Sequence, residues 1–310
     1  MNRIKLFLLF LIGASCVVFA FKPVTCLLLG VLCSPLINNS FKHHLSEATT
    51  WLLKASVIGI GFGLTASDIA VVSGQTLGLI AGGVIFTVVS GFLLSKLFKL
   101  PSDKATLIVV GTAICGGSAI AAISPILKAN RHHIASALTV VFLLNGLAML
   151  IFPLVGHSLG LSDSVFGLWA GLAIHDTSSV IGASAGFSEP ALKTAVVVKS
   201  LRTLFIVPVA LVLAWSQSRS QNFKAFPYFL MLFLVAVGCA LFVPDWLGVY
   251  PLLYSGAKHL IVVPMFLLGT AIAPQDGLKQ NKTALGFAAL LWGGMSITSL
   301  VVVNYVCTST

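Results

Sequence analysis

The chain is a succession of apolar segments, each long enough to cross a bilayer. A spanning helix needs about 20 mostly apolar residues, and we count eleven such segments. They lie at roughly 4–21, 24–39, 49–65, 76–97, 105–127, 134–155, 165–186, 194–215, 226–243, 256–273 and 284–304. Only 8% of the 310 residues are charged, whereas a soluble domain carries about 25%. We therefore expect an all-α polytopic membrane protein with about eleven transmembrane helices.

The basic residues predict how the chain is oriented. The formal net charge is +10, and most Lys and Arg residues flank apolar segments, which is typical of topology signals facing anionic lipid and not of a nucleic-acid surface. With the N-terminus inside, ten lie on the cytoplasmic side and four outside. The first group is Arg3, Lys5, Lys42, Lys96, Lys99, Lys104, Arg219, Lys224, Lys279 and Lys282, and the second is Lys22, Lys128, Arg131 and Lys193. This excess predicts a cytoplasmic N-terminus and the C-terminus outside, and we expect a multi-pass protein of a bacterial inner membrane. Lys128 and Arg131 are the main exceptions to this excess, since they lie on the predicted outside. They leave open the alternative that the fifth segment is re-entrant and does not cross the membrane.

A short repeat suggests how the membrane domain is built. Gly111-Thr-Ala-Ile in the fifth segment recurs as Gly269-Thr-Ala-Ile in the tenth, about half a chain away. With the N-terminus inside, these two segments run in opposite directions, as expected of inverted repeats in secondary transporters. We predict a retained signal-anchor helix over 1–23, then two inverted five-helix repeats over 24–160 and 161–310.

The fifth segment contains a run of small residues from Gly111 to Ser118. Glycine weakens a helix, and an interrupted helix at membrane depth presents half-helix N-termini that attract anions. Cys115, Gly116, Gly117 and Ser118 are therefore candidates for substrate binding. The alternative is that the small residues serve close helix packing.

The seventh segment contains His175, Asp176, Thr177 and Ser178. Asp176 is the only acid well inside an apolar segment, where a charge is costly unless it is paired, hydrated or protonated. His175 titrates near neutral pH and can relay protons. We expect His175, Thr177 and Ser178 to contribute to substrate binding, and Asp176 and His175 to ion coupling. Neighbours on a helix point about 100° apart, so one of His175 and Asp176 faces the site while the other contacts a second helix. A purely structural polar bridge is the alternative.

Two cations lie in the eighth segment. Lys199 and Arg202 are spaced i, i+3 and share a helix face, and an arginine can bind an oxyanion with two parallel hydrogen bonds. The alternatives are snorkelling to the interface and an ion pair with Asp176. With Thr270 of the second Gly-Thr-Ala-Ile, these residues complete the predicted site. Its positive balance favours a small anionic substrate, with a proton or sodium as the coupled ion.

Other functional classes find little support in the sequence. The six cysteines include no Cys-x-x-Cys pair, so neither a disulfide framework nor a zinc site is predicted, and we expect no cofactor or metal. No nucleotide-binding loop indicates ATP-driven pumping, and no paired carboxylates or nucleophile triad indicate an enzyme. A sodium or proton antiporter exchanging a cation at Asp176 is the closest rival, followed by a passive anion channel or a structural membrane protein. The expected partners are a small anion and the lipid bilayer, with no nucleic acid. A homodimer is allowed for.

Three segments, 111–122, 171–183 and 199–208, together resemble the YeiH-like family of proposed sulfate exporters. The similarity extends over nearly the whole chain, and Ile-Cys-Gly-Gly-Ser-Ala-Ile is its most specific part. The family resembles cation–proton antiporters and bile-acid symporters. This implies two inverted halves, crossed broken helices, elevator-type motion and export of a small inorganic or sulfonate anion. The chain departs from the family pattern in having His175-Asp176 and Ser179 where His-Glu and Gln are expected, which alters the size and polarity of the predicted cavity.

Overall fold

A computed structural model describes residues 11–16, 21, 23–34, 49, 51–52, 54–65, 74–216, 228–243, 248–260, 262–271 and 282–308. The regular elements in these ranges are helices. We label them α1 (Pro23–Cys33), α2 (Gly74–Phe98), α3 (Ser102–Ala113), α4 (Gly117–Leu127), α5 (Arg131–Ser158), α6 (Asp163–Ala173), α7 (Thr177–Phe187), α8 (Glu189–Leu204), α9 (Ile206–Ser216), α10 (Tyr228–Phe242), α11 (Val249–Leu260), α12 (Val262–Ala271) and α13 (Lys282–Thr308).

Four stretches of helix are long and apolar enough to cross a membrane. They are Gly74–Phe98, His132–Ser158, Glu189–Trp215 and Lys282–Cys307; the third joins α8 and α9. Large apolar side chains such as Ile85, Leu93 and Ile297 are exposed on these helices, which suits a surface that faces lipid. The all-helical, apolar architecture agrees with the predicted polytopic membrane protein. The count of eleven crossings stays a prediction.

The chain forms two compact units. The first comprises residues 1–70 and 227–273, and the second comprises 71–226 and 274–310. In the first unit, α1 packs against α12. Of the predicted signal anchor, the structure describes 11–16, which are helical, 21 and 23. These units are groups of packed helices, whereas the predicted repeats are related by symmetry. The division into 24–160 and 161–310 therefore stays a prediction.

Two interrupted helices lie in the core of the second unit. The predicted segment 105–127 forms the half-helices α3 and α4, and the segment 165–186 forms α6 and α7. By contrast, the segments 76–97, 134–155 and 284–304 each form one continuous helix. Two of the motifs, around Gly111–Ser118 and His175–Ser178, therefore coincide with helix breaks, whereas α8 and α9 are separated at Phe205.

Close packing of α6 against α8 aligns the second break with the two cations. A Cβ atom on Gly171 would lie 2.8 Å from Val198 Cγ1, and one on Gly167 would lie 2.7 Å from Thr194 Cβ. Such distances are shorter than real contacts, so only glycine allows this approach of the two helices. As a result, the C-terminal half of α8 runs alongside the end of α6.

Candidate functional site

The two helix breaks adjoin each other. The first covers residues 114–116 and the second covers 174–176. Gly116 has φ 59°, a left-handed conformation that favours glycine. A Cβ atom on Gly116 would lie 3.2 Å from Asp176 Cβ, so the second break occupies the space that a side chain would need. Four half-helix ends therefore meet in a small region of the second unit.

Lys199 joins the C-terminal ends of the two leading half-helices. Its Nζ donates to the carbonyl of Ile114, at 2.8 Å, and to that of Ile174, at 2.7 Å. The last carbonyls of a helix have no intrahelical partner, and the C-terminus carries a partial negative charge. One ammonium group thus satisfies both ends, and the side chain is fully buried.

Arg202 completes the same arrangement one turn further along α8. Its Nε donates to Ala113 O at 2.7 Å and its Nη2 to Thr112 O at 2.9 Å. Arg202 is also fully buried, so neither cation snorkels. Within the described residues, neither forms an ion pair with Asp176, and Nη1 of Arg202 has no hydrogen-bond partner. Two of its donors, Nε and Nη2, are therefore engaged by the main chain.

The N-terminal ends of the trailing half-helices form the accessible side of the site. Asp176 caps α7, and its carboxylate accepts hydrogen bonds from the N–H and the hydroxyl of Ser178. At α4 the capping residue is Gly116, and no side chain caps this end. Ser118 is exposed, while Gly117, Asp176 and Thr177 are half-buried. Free N–H groups, hydroxyls and one carboxylate are therefore within reach of a ligand.

His175 and Asp176 face different surroundings, although they lie in the break and not, as the spacing of about 100° assumed, on a helix. His175 is 1% exposed, and its ring centroid lies 6.0 Å from that of Trp292 on α13. Among the described residues, neither ring nitrogen has a hydrogen-bond partner. His175 thus lies against another helix, while Asp176 reaches the accessible side.

The other predicted site residues are distributed unevenly. Cys115 is buried within the first break and does not reach the accessible side. Thr270 belongs to α12 of the other unit, where its hydroxyl donates to Leu267 O at 2.7 Å; its part in the site stays a prediction. No group of His, Cys, Asp and Glu side chains in the described ranges could hold a metal ion.

Sequence reasoning missed one residue of this region. Asn145 of α5 is buried, and its Oδ1 accepts a hydrogen bond from the N–H of Asp176 at 3.2 Å. The signal was present in the sequence, because Asn145 is the only side-chain amide of a 28-residue apolar helix.

The charges differ between the two sides of the breaks. Each helix end is equivalent to about half a charge, positive at the N-terminus and negative at the C-terminus. On the accessible side, the ends of α4 and α7 therefore balance the ionised carboxylate of Asp176. On the buried side, the basic groups of Lys199 and Arg202 donate to the carbonyls at the negative ends of α3 and α6. Two basic side chains thus lie behind an accessible surface on which one carboxylate meets two helix N-termini.

This fold and site define an integral membrane protein built around two interrupted helices. The sequence model of the family described as Conserved hypothetical protein 698 matches residues 7–287. A UPF0324 membrane protein of Vibrio vulnificus is 41% identical over 281 residues, covering 89% of this chain and 90% of the relative. One of Shewanella oneidensis is 38% identical over 262 residues, covering 84% and 83%, and one of Bdellovibrio bacteriovorus is 36% identical over 301 residues, covering 94% and 91%. No solved structure matches the chain. The chain belongs to the UPF0324 family of membrane proteins, which confirms the YeiH-like resemblance.

Proposed function

We propose that the protein is a secondary active transporter of a small anion, such as sulfate, a sulfonate or a small organic anion. The observation that supports it is the meeting of two half-helix N-termini on the accessible side, with the basic side chains of Lys199 and Arg202 buried behind them. Half-helix N-termini near the bilayer midplane recognise anionic groups in other secondary transporters. From the resemblance to the YeiH-like family, we further propose that the protein exports its substrate by an elevator-type movement.

The anion contacts the start of α4. The first N–H groups of a helix have no intrahelical partner, and those of Gly117 and Ser118 are not covered by a capping side chain. The hydroxyl of Ser118, which is exposed, adds a further donor. Nε and Nη2 of Arg202 already donate to the carbonyls of Ala113 and Thr112. The N-terminus of α4, and not the guanidinium, therefore makes the main contact with the anion.

Asp176 couples anion binding to a proton. In its ionised form, the carboxylate balances the positive ends of α4 and α7; in its protonated form, it leaves them for the substrate. Anion binding and protonation of Asp176 therefore favour each other, which is the thermodynamic linkage that proton coupling requires. The coupling role predicted for His175 is not part of this scheme, because its ring is buried against Trp292.

A sodium or proton antiporter is the second candidate. The observation that favours it is the carboxylate of Asp176 on the accessible side, where a cation could replace the proton. The two functions differ in their pH dependence: the anion binds best when Asp176 is protonated, whereas sodium binds best when it is ionised.

Thermal unfolding of the purified protein tests the proposal, because a ligand of the folded state raises the apparent Tm by mass action. Sulfate, methanesulfonate and acetate are compared as choline salts at pH 6 and pH 8, and sodium is compared with choline at constant anion. We expect at least one anion to raise the Tm, more strongly at pH 6. Asp176→Asn should still bind that anion and lose the pH dependence. A response to sodium alone, at pH 8, would favour the antiporter.

A pair of substitutions at one position tests the role of the helix terminus. Ser118→Pro removes both the N–H and the hydroxyl, in the first helical turn, where proline breaks no intrahelical hydrogen bond. Ser118→Ala removes only the hydroxyl. We expect the proline variant to lose the anion response and the alanine variant to keep part of it. Ser124→Ala is the matched control, because that hydroxyl donates to Ala121 O within the same helix. An unchanged response in Ser118→Pro would contradict the proposed contact.

A further inference from the structure

One face of α5 forms a third wall of the site. Leu138, Val141, Phe142 and Asn145 are spaced i, i+3, i+4 and i+7, so they lie on the same side of the helix. A Cβ atom on Gly117 would lie 3.1 Å from Phe142 Cζ and 3.6 Å from Leu138 Cδ2. One on Gly116 would lie 3.4 Å from Val141 Cγ1. This face therefore packs against the start of α4, and Asn145 is its single polar residue.

The hydrogen bond of Asn145 fixes the orientation of its amide. The N–H of Asp176 can only donate, so the atom that it meets must be Oδ1. Nδ2 is then a pair of N–H donors in a side chain that is 2% exposed, and no described residue accepts from it. Buried donors are nearly always paired in folded proteins, so this one points to a ligand or water of the site.

We infer that Asn145 is a ligand-contacting residue that makes the site select an anion over a cation. This inference rests on the proposed function. Nδ2 donates to an oxygen of the bound anion, alongside the N–H groups at the start of α4. Oδ1 holds the backbone of Asp176, so the same side chain connects the anion to the residue that takes up the proton.

The lack of charge on Asn145 contributes to anion selectivity as much as its N–H donors do. When ionised, the carboxylate of Asp176 is balanced by the positive ends of two half-helices. The accessible side then has no further positive charge to offset a second carboxylate. An aspartate has the same shape as asparagine and would still accept from the N–H of Asp176. It would also remove the donor and add a negative charge, which a sodium ion would balance and an anion would not.

The variants Asn145→Asp and Asn145→Ser, with Thr139→Val as control, test the inference. Thr139 lies on the exposed face of α5, and its hydroxyl donates to Ala135 O. Affinities for sulfate and for sodium are measured by titration of the purified full-length proteins at pH 8, with choline as the reference cation. Because a hydrogen bond to a charged group is lost, we expect Asn145→Asp to bind sulfate about tenfold more weakly at pH 8. We also expect a sodium response at pH 8 that the wild type lacks.

Asn145→Ser removes the Nδ2 donor without adding a negative charge, so it distinguishes the effect of the lost hydrogen bond from that of the new charge. It should weaken sulfate binding without creating a sodium response, while Thr139→Val should match the wild type. Wild-type sulfate affinity of Asn145→Asp at pH 8, or the absence of any new sodium response, would overturn the inference and leave the proposed function intact. A wild type that responds to sodium and to none of the anions would overturn both.

Discussion

Lys199 and Arg202 illustrate how an apolar protein accommodates two full charges in its interior. Removing an ion from water costs several kcal/mol unless excellent hydrogen bonds replace the solvent. Here four backbone carbonyls accept from the two side chains, at 2.7 to 2.9 Å. Those carbonyls end two half-helices and would otherwise lack partners. Each group therefore removes the burial cost of the other.

Replacing Lys199 by methionine tests this reciprocity. Lys199→Met keeps the apolar stem and leaves the carbonyls of Ile114 and Ile174 unpaired, at about 1–3 kcal/mol for each buried polar group. We expect a clearly lower Tm in detergent. Lys96→Met is the control, because it removes a lysine from an exposed position on α2. Equal Tm values for the two variants would show that Lys199 does not hold the half-helix ends.

The sequence predicted that Lys199 and Arg202 share a face, because spacing along one helix is local information. The sequence did not predict the partners of these two side chains. The partners at the end of α3 lie 85 to 90 positions away. They are also main-chain oxygens, which every residue has, so no residue type marks them. Asn145 was missed for a related reason. Its importance depends on which backbone N–H lies opposite, and that is decided by helix packing.

Helix α6 depends on its close approach to α8. Gly167 and Gly171 form a surface without side chains, against which Thr194 and Val198 pack. This contact holds Lys199 within 2.7 Å of the Ile174 carbonyl at the end of α6.

Gly171→Ala should separate these two helices. The added Cβ would lie 2.8 Å from Val198 Cγ1 and 3.2 Å from the carbonyl of Ala195, and overpacking of this kind costs about 1–3 kcal/mol. We expect a lower Tm and a weaker response to anions. Gly82→Ala on α2 is the matched control, since nothing lies within 4 Å of the added atom; it should be neutral or slightly stabilising. A neutral Gly171→Ala would contradict tight packing of α6 on α8.

A second contact ties the start of α3 to the start of α5. The carboxylate of Asp103 pairs with Nδ1 of His133 at 2.8 Å and accepts from the N–H of Asn130 at 3.1 Å. Partial burial by itself would raise the pKa of the Asp103 carboxyl. The hydrogen bonds from His133, Asn130 and Lys104 outweigh it and hold the pKa below its usual value.

This contact predicts a loss of stability in acid. Because the pKa of Asp103 is lower in the folded state than the unfolded value near 3.9, its stabilisation is complete above that pH and is lost as the pH falls through the folded-state pKa. Asp103→Asn should be less stable than the wild type at pH 7, by less than about 1 kcal/mol for a partly exposed pair. The difference should shrink below about pH 4. Unfolding curves between pH 3 and pH 7 measure it, and a constant difference would rule out the titration of Asp103 as its source.

Helix boundaries were partly predictable at this scale. The breaks between α3 and α4 and between α6 and α7 were marked by glycine and polar residues within apolar segments. The interruption at Phe205 was not predicted, although Pro208 signals it: proline has no N–H to donate to the carbonyl of Leu204.

At the scale of the whole molecule, the direction in which the chain crosses the bilayer is the first property to measure. The excess of ten basic residues over four predicts a cytoplasmic N-terminus and an external C-terminus. Reporter fusions after Asp103 and after Thr310 should therefore report opposite sides of the membrane. Signals from the same side would contradict the count of eleven spans.

Composition alone predicted the all-helical membrane class, because few charges and long apolar segments leave no soluble alternative. The grouping into two units was not predicted. Each unit combines segments from distant parts of the sequence, and no local pattern states which helices pack together. The inverted repeat is a question of symmetry and stays a prediction.

The way in which Lys199 and Arg202 are satisfied also constrains how relatives of this protein can diverge. Both cations bind carbonyl oxygens, which every amino acid supplies. These hydrogen bonds therefore do not depend on which side chains occupy positions 112, 113 and 114. Substitutions that keep the backbone path can accumulate there without a compensating change on α8. The two cations should therefore stay invariant while showing no covariation with the positions they touch. Contact maps inferred from correlated substitutions would then omit these buried hydrogen bonds.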